Sequence, residues 1–257
     1  MNKIANYNAY NEAMKTTVGD KLWFLPMISQ EIDTIVDFGC ADGSLMVEIE
    51  RLYPHHFRFI GIDIDDVMIG CAINNTKDFA HRTTFAHSIE DVAATIKMNN
   101  CVLVLNSVVH EICSYLSYIE RYKLLDDFAK AGFKYIAIRD MHLQEWDDLT
   151  NQIKSFDWYQ HQDLYKMWVN QHYYSKDDVN LSIEFMLKYR YRHNWTRECA
   201  ERYLWNWSEM FYQFFGDKEI FETDFYVPFI FKALNEEYST NILPFNTHKK
   251  MLIKVGG

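Results

Sequence analysis

Acidic residues follow two successive apolar stretches, and glycines follow the first of them. Asp37 lies near the end of the first stretch, and Gly39 and Gly43 stand in the turn behind it. Asp63 lies near the end of the second stretch, at the spacing of roughly 20 residues from the glycine turn that suits a carboxylate on ribose hydroxyls. Because an acid before the glycines repels a pyrophosphate and attracts a cation, these residues predict a site for a nucleoside with a positively charged substituent.

The elements that must position these residues alternate along residues 31–144. The sequence predicts strands at 32–38, 57–64, 84–87, 101–106 and 135–139. It predicts helices at 44–53, 66–75, 89–97 and 111–131, the last ended by Gly132. Strands that alternate with helices form right-handed βαβ units, and their nearly continuous apolar runs indicate burial on both faces. We therefore expect a doubly wound, Rossmann-like α/β sheet with both acids at the carboxyl edge, where ligands bind.

Two stretches, Val36–Leu45 (VDFGCADGSL) and Phe59–Asp65 (FIGIDID), resemble class I S-adenosylmethionine-dependent methyltransferases. The first motif of that family is an acid followed by three alternate small residues, usually glycines. The matching residues are Asp37, Gly39, Ala41 and Gly43. Ala41 replaces the middle glycine, which narrows the approach to a cofactor. Residues 249–255 alternate like a strand, and we expect this C-terminal strand to pair antiparallel at the edge of an otherwise parallel sheet.

The resemblance also implies roles for residues beyond the glycine turn. Asp63 falls where the family holds the ribose hydroxyls, and Ile64 falls where an apolar side chain packs on adenine. Ser88, with Ile89 after it, falls near the acceptor for the adenine amino group, which is usually an aspartate. Asn106 ends the strand that lines the methyl-donor site in the family. The implied cofactor is S-adenosylmethionine, and the product is S-adenosylhomocysteine.

Polar residues after the fourth and fifth predicted strands are candidates for catalysis. Methyl transfer from a sulfonium is an in-line displacement that needs alignment and desolvation, and it needs a base only where the acceptor holds a proton tightly. His110 is a candidate base or acceptor ligand, with helix capping or packing as the alternative. Asp140 and His142 follow strand five and are expected at the same crevice, whereas Glu111 suits the dipole of a helix N-terminus. No metal site is expected, because the histidine spacing does not suit zinc.

Segments outside the core carry most of the aromatic residues. Residues 1–30 are predicted to form an N-terminal helical lid, and 31–144 the cofactor-binding core. Residues 145–240 are predicted to form an aromatic-rich helical insert or cap, and 241–257 a strand that returns to the core sheet. Six of the seven tryptophans follow residue 143. We therefore expect the insert to select the acceptor or to form a homodimer interface.

Composition leaves three functions open. The net charge of −10 argues against a generally basic nucleic-acid surface, though not against a local basic patch, and a small-molecule acceptor is the leading hypothesis. Residues 188–202 interleave basic and aromatic side chains, so an RNA-directed methyltransferase is the alternative. Ala41 and Ser88 depart from the family pattern and motivate a third hypothesis, a non-catalytic cofactor-binding or assembly protein. The sequence has no apolar run of membrane-spanning length and no cysteine pattern typical of disulfides, so a cytoplasmic protein is expected.

Overall fold

The computed structural model describes residues 18–93, 98–141, 207–226, 229–233, 236–240 and 247–256. The helices are α1 (Val18–Lys21), α2 (Ser44–Leu52), α3 (Asp66–Asn75), α4 (Ile89–Ala93), α5 (Val109–Tyr115), α6 (Tyr118–Ala131) and α7 (Trp207–Phe215). The strands are β1 (Thr34–Phe38), β2 (Arg58–Ile62), β3 (Thr83–Ala86), β4 (Cys101–Asn106), β5 (Tyr135–Met141), β6 (Glu219–Tyr226), β7 (Phe229–Ala233), β8 (Glu236–Thr240) and β9 (Thr247–Lys254). Short 3-10 helices lie at Leu25–Met27, Lys77–Arg82 and Met98–Asn100.

Seven strands form one sheet in the order β3-β2-β1-β4-β5-β9-β6. Strands β1 to β5 pair in parallel, which confirms the predicted doubly wound, mostly parallel sheet. Strand β9 is antiparallel to β5, as predicted for the C-terminal strand. It does not lie at the sheet edge, however, because β6 pairs antiparallel along its other side. Its buried residues Met251, Leu252 and Ile253 explain this central place, since an edge strand would leave them less covered.

Apolar side chains cover the sheet on both faces. Alternate residues of one strand point to opposite faces, so Val36 joins one cluster with Phe128 of α6 and Phe211 of α7. Ile35 joins the other cluster, with Phe24 after α1 and Ile49 of α2. The predicted helical layers are therefore present on both sides, and they fix the carboxyl ends of the strands relative to one another. Among the described residues, no helix is both long and apolar enough to cross a bilayer.

The helix predicted over 111–131 is two helices in the structure. Helix α5 begins at Val109 and ends at Tyr115, and α6 begins after Ser117. Ser117 Oγ accepts the backbone N–H of Glu120, while Glu120 Oε2 accepts the backbone N–H of Ser117 at 2.8 Å. This reciprocal cap satisfies two backbone donors and starts a new helix, whose end at Gly132 is as predicted.

Residues 145–240 were predicted to be mostly helical, and their described part is mostly strand. It holds one helix, α7, and three strands, β6, β7 and β8. Strand β6 pairs with β9 over its whole length, and β7 pairs with β8 as a hairpin. Isoleucine, phenylalanine, tyrosine and threonine in β6 favour an extended backbone, and this signal outweighs the helical spacing before it. The basic and aromatic stretch 188–202 lies outside the described residues, and the division of the chain into segments stays a prediction.

Candidate functional site

The turn between β1 and α2 has a left-handed backbone at three alternate positions. Gly39, Ala41 and Gly43 have φ values of 77°, 48° and 75°. A Cβ atom on Gly39 would lie 2.8 Å from Val108 Cγ2, and one on Gly43 would lie 3.2 Å from Ala72 Cβ. Glycine is therefore favoured at both positions by the φ angles, and at Gly39 also by the close contact with Val108. Ala41 adopts its left-handed conformation at a cost of about 1–2 kcal/mol.

Asp63 joins this turn to the end of β2. Its Oδ2 accepts the backbone N–H of Ala41 at 2.9 Å, and its Oδ1 accepts the backbone N–H of Asp65 at 2.9 Å. Burial raises the pKa of Asp63, although hydrogen bonds from both N–H groups act in the opposite direction. Asp65 caps α3 by accepting the backbone N–H groups of Val67 and Met68.

A cavity of about 180 Å³ lies beside Asp63 and is lined mainly by apolar side chains. The lining residues are Phe38, Gly39, Ile62, Asp63, Ile64, His87, Val108, Glu111, Ile112, Tyr115, Leu116 and Leu124. Of the residues predicted from sequence, Gly39, Asp63 and Ile64 line it, and Ile64 is 65% exposed. Such exposure of an apolar side chain leaves a surface on which a flat ring can pack.

One wall of the cavity is formed by one face of a helix. Val108, Glu111, Ile112 and Tyr115 contribute side chains from α5 and the residue before it. Their spacing of three and four residues places them on one helix face, and this periodicity was readable in the sequence. Burial raises the pKa of Glu111, with smaller effects from the neighbouring charges of His110, Asp140 and Asp63. Glu111 therefore lines the cavity as well as standing in the first helical turn.

Ser88 and Ile89 have structural contacts of their own. Ser88 Oγ accepts the backbone N–H of Asp91 at 3.3 Å, and Asp91 Oδ2 accepts the backbone N–H of Ser88 at 3.1 Å, which caps α4. Ile89 is buried in the core. The residue beside them that lines the cavity is His87. The predicted contacts of Ser88 and Ile89 with a ligand stay predictions.

Asp37 is buried beside Lys21, a pair that no sequence pattern indicates. Asp37 lies one residue before the end of β1, and Lys21 is the last residue of α1. Burial raises the pKa of Asp37 to about 7 against the opposing effect of Lys21. Burial lowers the pKa of Lys21 to about 8 against the opposing effect of Asp37. Lys21 therefore partly neutralises the negative charge of Asp37, which leaves less of that charge to attract a cationic ligand.

Asn106 lies at the end of β4 and contacts the same lysine. Its Nδ2 donates to the backbone carbonyl of Lys21 at 3.5 Å. Its Oδ1 is buried and has no hydrogen-bond partner among the described residues. A buried acceptor without a donor costs about 1–3 kcal/mol, so this oxygen is suited to a ligand that donates.

His110 and Asp140 form a hydrogen-bonded pair. Asp140 is fully buried, and its Oδ2 accepts the backbone N–H of His110 at 3.0 Å. Asp140 Oδ1 lies 2.8 Å from Nδ1 of the His110 ring. The sequence named the two residues as separate candidates, and the structure brings them together. The third candidate, His142, lies outside the described residues.

Helix α1 is tied to the carboxyl edge of the sheet through Asp20. Arg139 Nε donates to Asp20 Oδ2 at 2.7 Å, and Lys250 Nζ donates to Asp20 Oδ1 at 2.8 Å. Arg139 is almost fully buried, and its Nη1 also donates to Ser107 Oγ at 3.4 Å. Asp20 therefore joins the N-terminal segment to β5 and β9, directly beside Lys21.

The fold is similar to that of solved methyltransferases. An O-methyltransferase family protein from Burkholderia thailandensis matches 98% of this chain and 60% of its own at 11% identity, with a TM-score of 0.55. A magnesium protoporphyrin IX methyltransferase from Synechocystis PCC 6803, crystallised with bound SAH, matches 99% of this chain and 90% of its own at 11% identity, with a TM-score of 0.48.

No protein-family model and no curated protein matches the sequence. The likeness to the Burkholderia structure, together with the strand order, confirms the fold that the resemblance implied. The chain has the Rossmann-like fold of class I S-adenosylmethionine-dependent methyltransferases.

Proposed function

We propose that the protein is an S-adenosylmethionine-dependent methyltransferase that acts on a small-molecule acceptor. The observation that carries the proposal is the Asp63 carboxylate, held by the Ala41 N–H beside a mostly apolar cavity. A nucleoside needs both features, since its ribose donates hydrogen bonds and its base buries an apolar face. The fold supports the proposal because ligands of such sheets bind at the carboxyl ends of the strands, where this cavity lies.

The residues present fit this cofactor chemically. Asp63 supplies the acceptor for ribose hydroxyls, and Ile64 supplies an exposed apolar surface for adenine. Asn106 Oδ1, which has no hydrogen-bond partner within the described part of the chain, suits the ammonium of the amino-acid tail. Gly39 lines the cavity, and its backbone, with those of Ala41 and Gly43, forms the turn between β1 and α2. Ser88 and Ile89 remain in the proposed site as neighbours of the adenine edge.

Methyl transfer depends on alignment of the acceptor and exclusion of water more than on acid–base catalysis. S-adenosylmethionine supplies a methyl group that its sulfonium already activates. The chain binds the nucleoside, excludes water through the apolar cavity wall and aligns the acceptor. The pair His110–Asp140 holds the acceptor or takes its proton at Nε2, since Nδ1 faces the carboxylate. We place His142 with this pair as a third candidate contact.

The net charge of the chain supports a small-molecule acceptor in this proposal. A chain with a net charge of −10 repels a polyanion at long range, which favours a small acceptor over RNA. Residues 188–202 would carry the RNA alternative. If RNA were the acceptor, its affinity would fall steeply with salt and would be lost in the double variant Arg190→Ala, Arg192→Ala. A screen of metabolites for transferred methyl label separates an enzyme from a non-catalytic binding protein.

Calorimetry with S-adenosylmethionine and S-adenosylhomocysteine tests cofactor binding. We expect binding of both below ~100 μM, within the usual range for enzyme ligands. Asp63→Asn should weaken both by roughly 10- to 100-fold, because a hydrogen bond to a charged group contributes about 1.5–3 kcal/mol. Asp78→Asn, an exposed acid in the 3-10 helix before β3, is the matched control and should bind as the wild type does. Absence of binding to either compound by the wild type would contradict the proposed function.

A further inference from the structure

Ser107 has a left-handed backbone directly after the end of β4. Its φ angle is 57°, and among the described residues it shares a positive φ with two other non-glycine positions, Ala41 and His55. This conformation costs free energy in residues other than glycine, so it persists only where surrounding contacts enforce it. The Ala41 N–H donates to Asp63 in the candidate site, whereas His55 lies in an exposed turn before β2. The neighbours of Ser107 must therefore enforce its conformation.

Arg139 of β5 holds Ser107 at two points. The Ser107 N–H donates to the Arg139 carbonyl at 2.7 Å, and Arg139 Nη1 donates to Ser107 Oγ at 3.4 Å. Arg139 is almost fully buried and its Nε donates to Asp20, so its guanidinium is itself fixed. Glycine would adopt a positive φ without strain, but it has no hydroxyl for the second contact. Serine therefore combines a strained backbone with an anchor on the neighbouring strand.

The chain passes from Ser107 into helix α5, whose first turn has no capping side chain of its own. Val108 is the N-cap residue, and its apolar side chain cannot accept a backbone N–H. Asp140 supplies the cap instead, because its Oδ2 accepts the N–H of His110 in the first turn at 3.0 Å. Arg139 and Asp140 are consecutive residues of β5. The end of one strand thus fixes both the chain that enters α5 and the first turn of α5.

The start of α5 contributes to both parts of the proposed site. Val108 lines the cavity, and it packs so closely on the glycine turn that a Cβ atom on Gly39 would lie 2.8 Å from its Cγ2. The imidazole of His110, which pairs with a buried carboxylate, belongs to the same helical turn. A change of backbone direction at Ser107 would therefore move the cavity wall and the imidazole together.

We infer that Ser107 is a positioning residue for methyl transfer: its left-handed backbone, held by Arg139, sets both the α5 wall of the cavity and the imidazole of His110. This inference rests on the proposed function and adds to it a residue that does not itself line the cavity. The site requires the left-handed conformation, and the hydroxyl is needed only because serine is strained in it. Glycine, which is not strained there, should therefore function without the hydroxyl.

Two substitutions separate the conformation from the hydroxyl. Ser107→Thr keeps the hydroxyl, and its branched Cβ disfavours a positive φ, whereas Ser107→Gly removes the hydroxyl and adopts a positive φ freely. Calorimetry measures the affinity for S-adenosylhomocysteine, and long-range ¹H–¹⁵N spectra show whether His110 Nδ1 carries the proton that the Asp140 carboxylate accepts. We expect Ser107→Thr to weaken binding by roughly tenfold, about the effect of two lost methylene contacts, and to lose the signal of the Nδ1-protonated ring. Ser107→Gly should stay within about threefold of the wild type and keep that signal.

His55→Thr is the matched control, because it places the same branched residue at a φ of 61° outside the site, and it should leave both measurements unchanged. Thermal unfolding shows which variants are folded. If Ser107→Thr is not, the less strained Ser107→Ala replaces it and should bind more weakly than Ser107→Gly.

Two results would overturn the inference. One is a folded Ser107→Thr with wild-type affinity and an unchanged ring signal, since the strain would then serve the fold alone. The other is an equal loss in Ser107→Thr and Ser107→Gly, since the hydroxyl rather than the conformation would then position the helix. Failure of the wild type to bind S-adenosylhomocysteine overturns the proposed function, whereas the ring signal tests the positioning of His110 without a ligand.

Discussion

His110 is held at two points by one buried carboxylate. Asp140 has no exposed surface, and an ionised acid in that position is tolerated only when hydrogen bonds replace water. The backbone N–H and the ring of His110 provide two such bonds. If the carboxylate is ionised, it can only accept, so Nδ1 carries the proton and Nε2 is the basic nitrogen. Asp140 is therefore a positioning residue for His110.

Substitution of this pair should separate chemistry from cofactor binding. We expect His110→Gln to lower kcat by roughly 10²–10⁴-fold, the usual contribution of a general base, if the acceptor carries a tightly held proton. Asp140→Asn should change the imidazole tautomer, seen in long-range ¹H–¹⁵N spectra as loss of the signal of an Nδ1-protonated ring. Both variants should bind S-adenosylhomocysteine with wild-type affinity. A parallel loss of cofactor affinity would show that the pair only supports the fold.

The break between α5 and α6 shapes the cavity at the scale of elements. Tyr115 at the end of α5, Leu116 at the junction and Leu124 of α6 all line the cavity. The extended residue Leu116 and the cap at Ser117 end α5 after seven residues and allow α6 to start in a new direction. Arg121 Nε donates to the Leu116 carbonyl at 2.9 Å and fixes the junction.

Removal of the cap should cost stability. Ser117→Ala should lower the free energy of unfolding by about 1 kcal/mol, the usual contribution of a serine N-cap, and urea titration measures this change. Ser29→Ala removes a serine hydroxyl that hydrogen-bonds an exposed glutamate two residues away, and it should change stability by less than about 0.5 kcal/mol. Equal stability of Ser117→Ala and the wild type would show that packing alone sets the break.

Local patterns predicted the elements of the cofactor half closely. Strand β4 has the bounds that its apolar run indicates, and Asp63 reaches the turn because the carboxyl ends of β1 and β2 are adjacent in a parallel sheet. The sequence also contains the signature of the Ser117–Glu120 cap, a serine followed three residues later by a glutamate, which indicates the start of a helix at this point. Strand β6 was missed because its aromatic residues match a buried helix as well as an edge strand.

Contacts between distant segments could not be predicted in this way. Lys21 meets Asp37 only because α1 folds over the end of β1, and no periodicity reports that placement. The pairing of His110 with Asp140 depends on the register of β4 and β5, in which Asn106 lies opposite Arg139. Sequence patterns thus gave the residue types at the carboxyl edge, whereas the tertiary fold decides which of them are partners.

At the scale of the whole molecule, the pair Lys21–Asp37 links folding to pH. Asp37 keeps its proton to about pH 7 in the folded chain, whereas an unfolded aspartate loses it near 3.8. Between these values the folded state binds more protons, so the free energy of unfolding falls as pH rises. Lys21 has a folded pKa of about 8 against 10.5 when unfolded, so its contribution rises again above pH 8. The pair therefore contributes least to stability near pH 7–8.

Asp37→Asn should abolish the fall in the free energy of unfolding between about pH 3.8 and pH 7 that Asp37 causes. Asparagine does not titrate. It also removes the carboxylate that attracts the Lys21 ammonium most strongly, which favours the neutral lysine and makes the variant relatively more stable as pH rises. Both effects have the same sign. The difference in unfolding free energy, wild type minus Asp37→Asn, should therefore decrease between pH 5 and pH 7.5 in urea titrations, and Asp78→Asn should show no such trend. A difference that is constant or grows over this interval would mean that Asp37 is ionised throughout, and that the buried carboxylate and Lys21 form a persistent ion pair across the edge of the sheet.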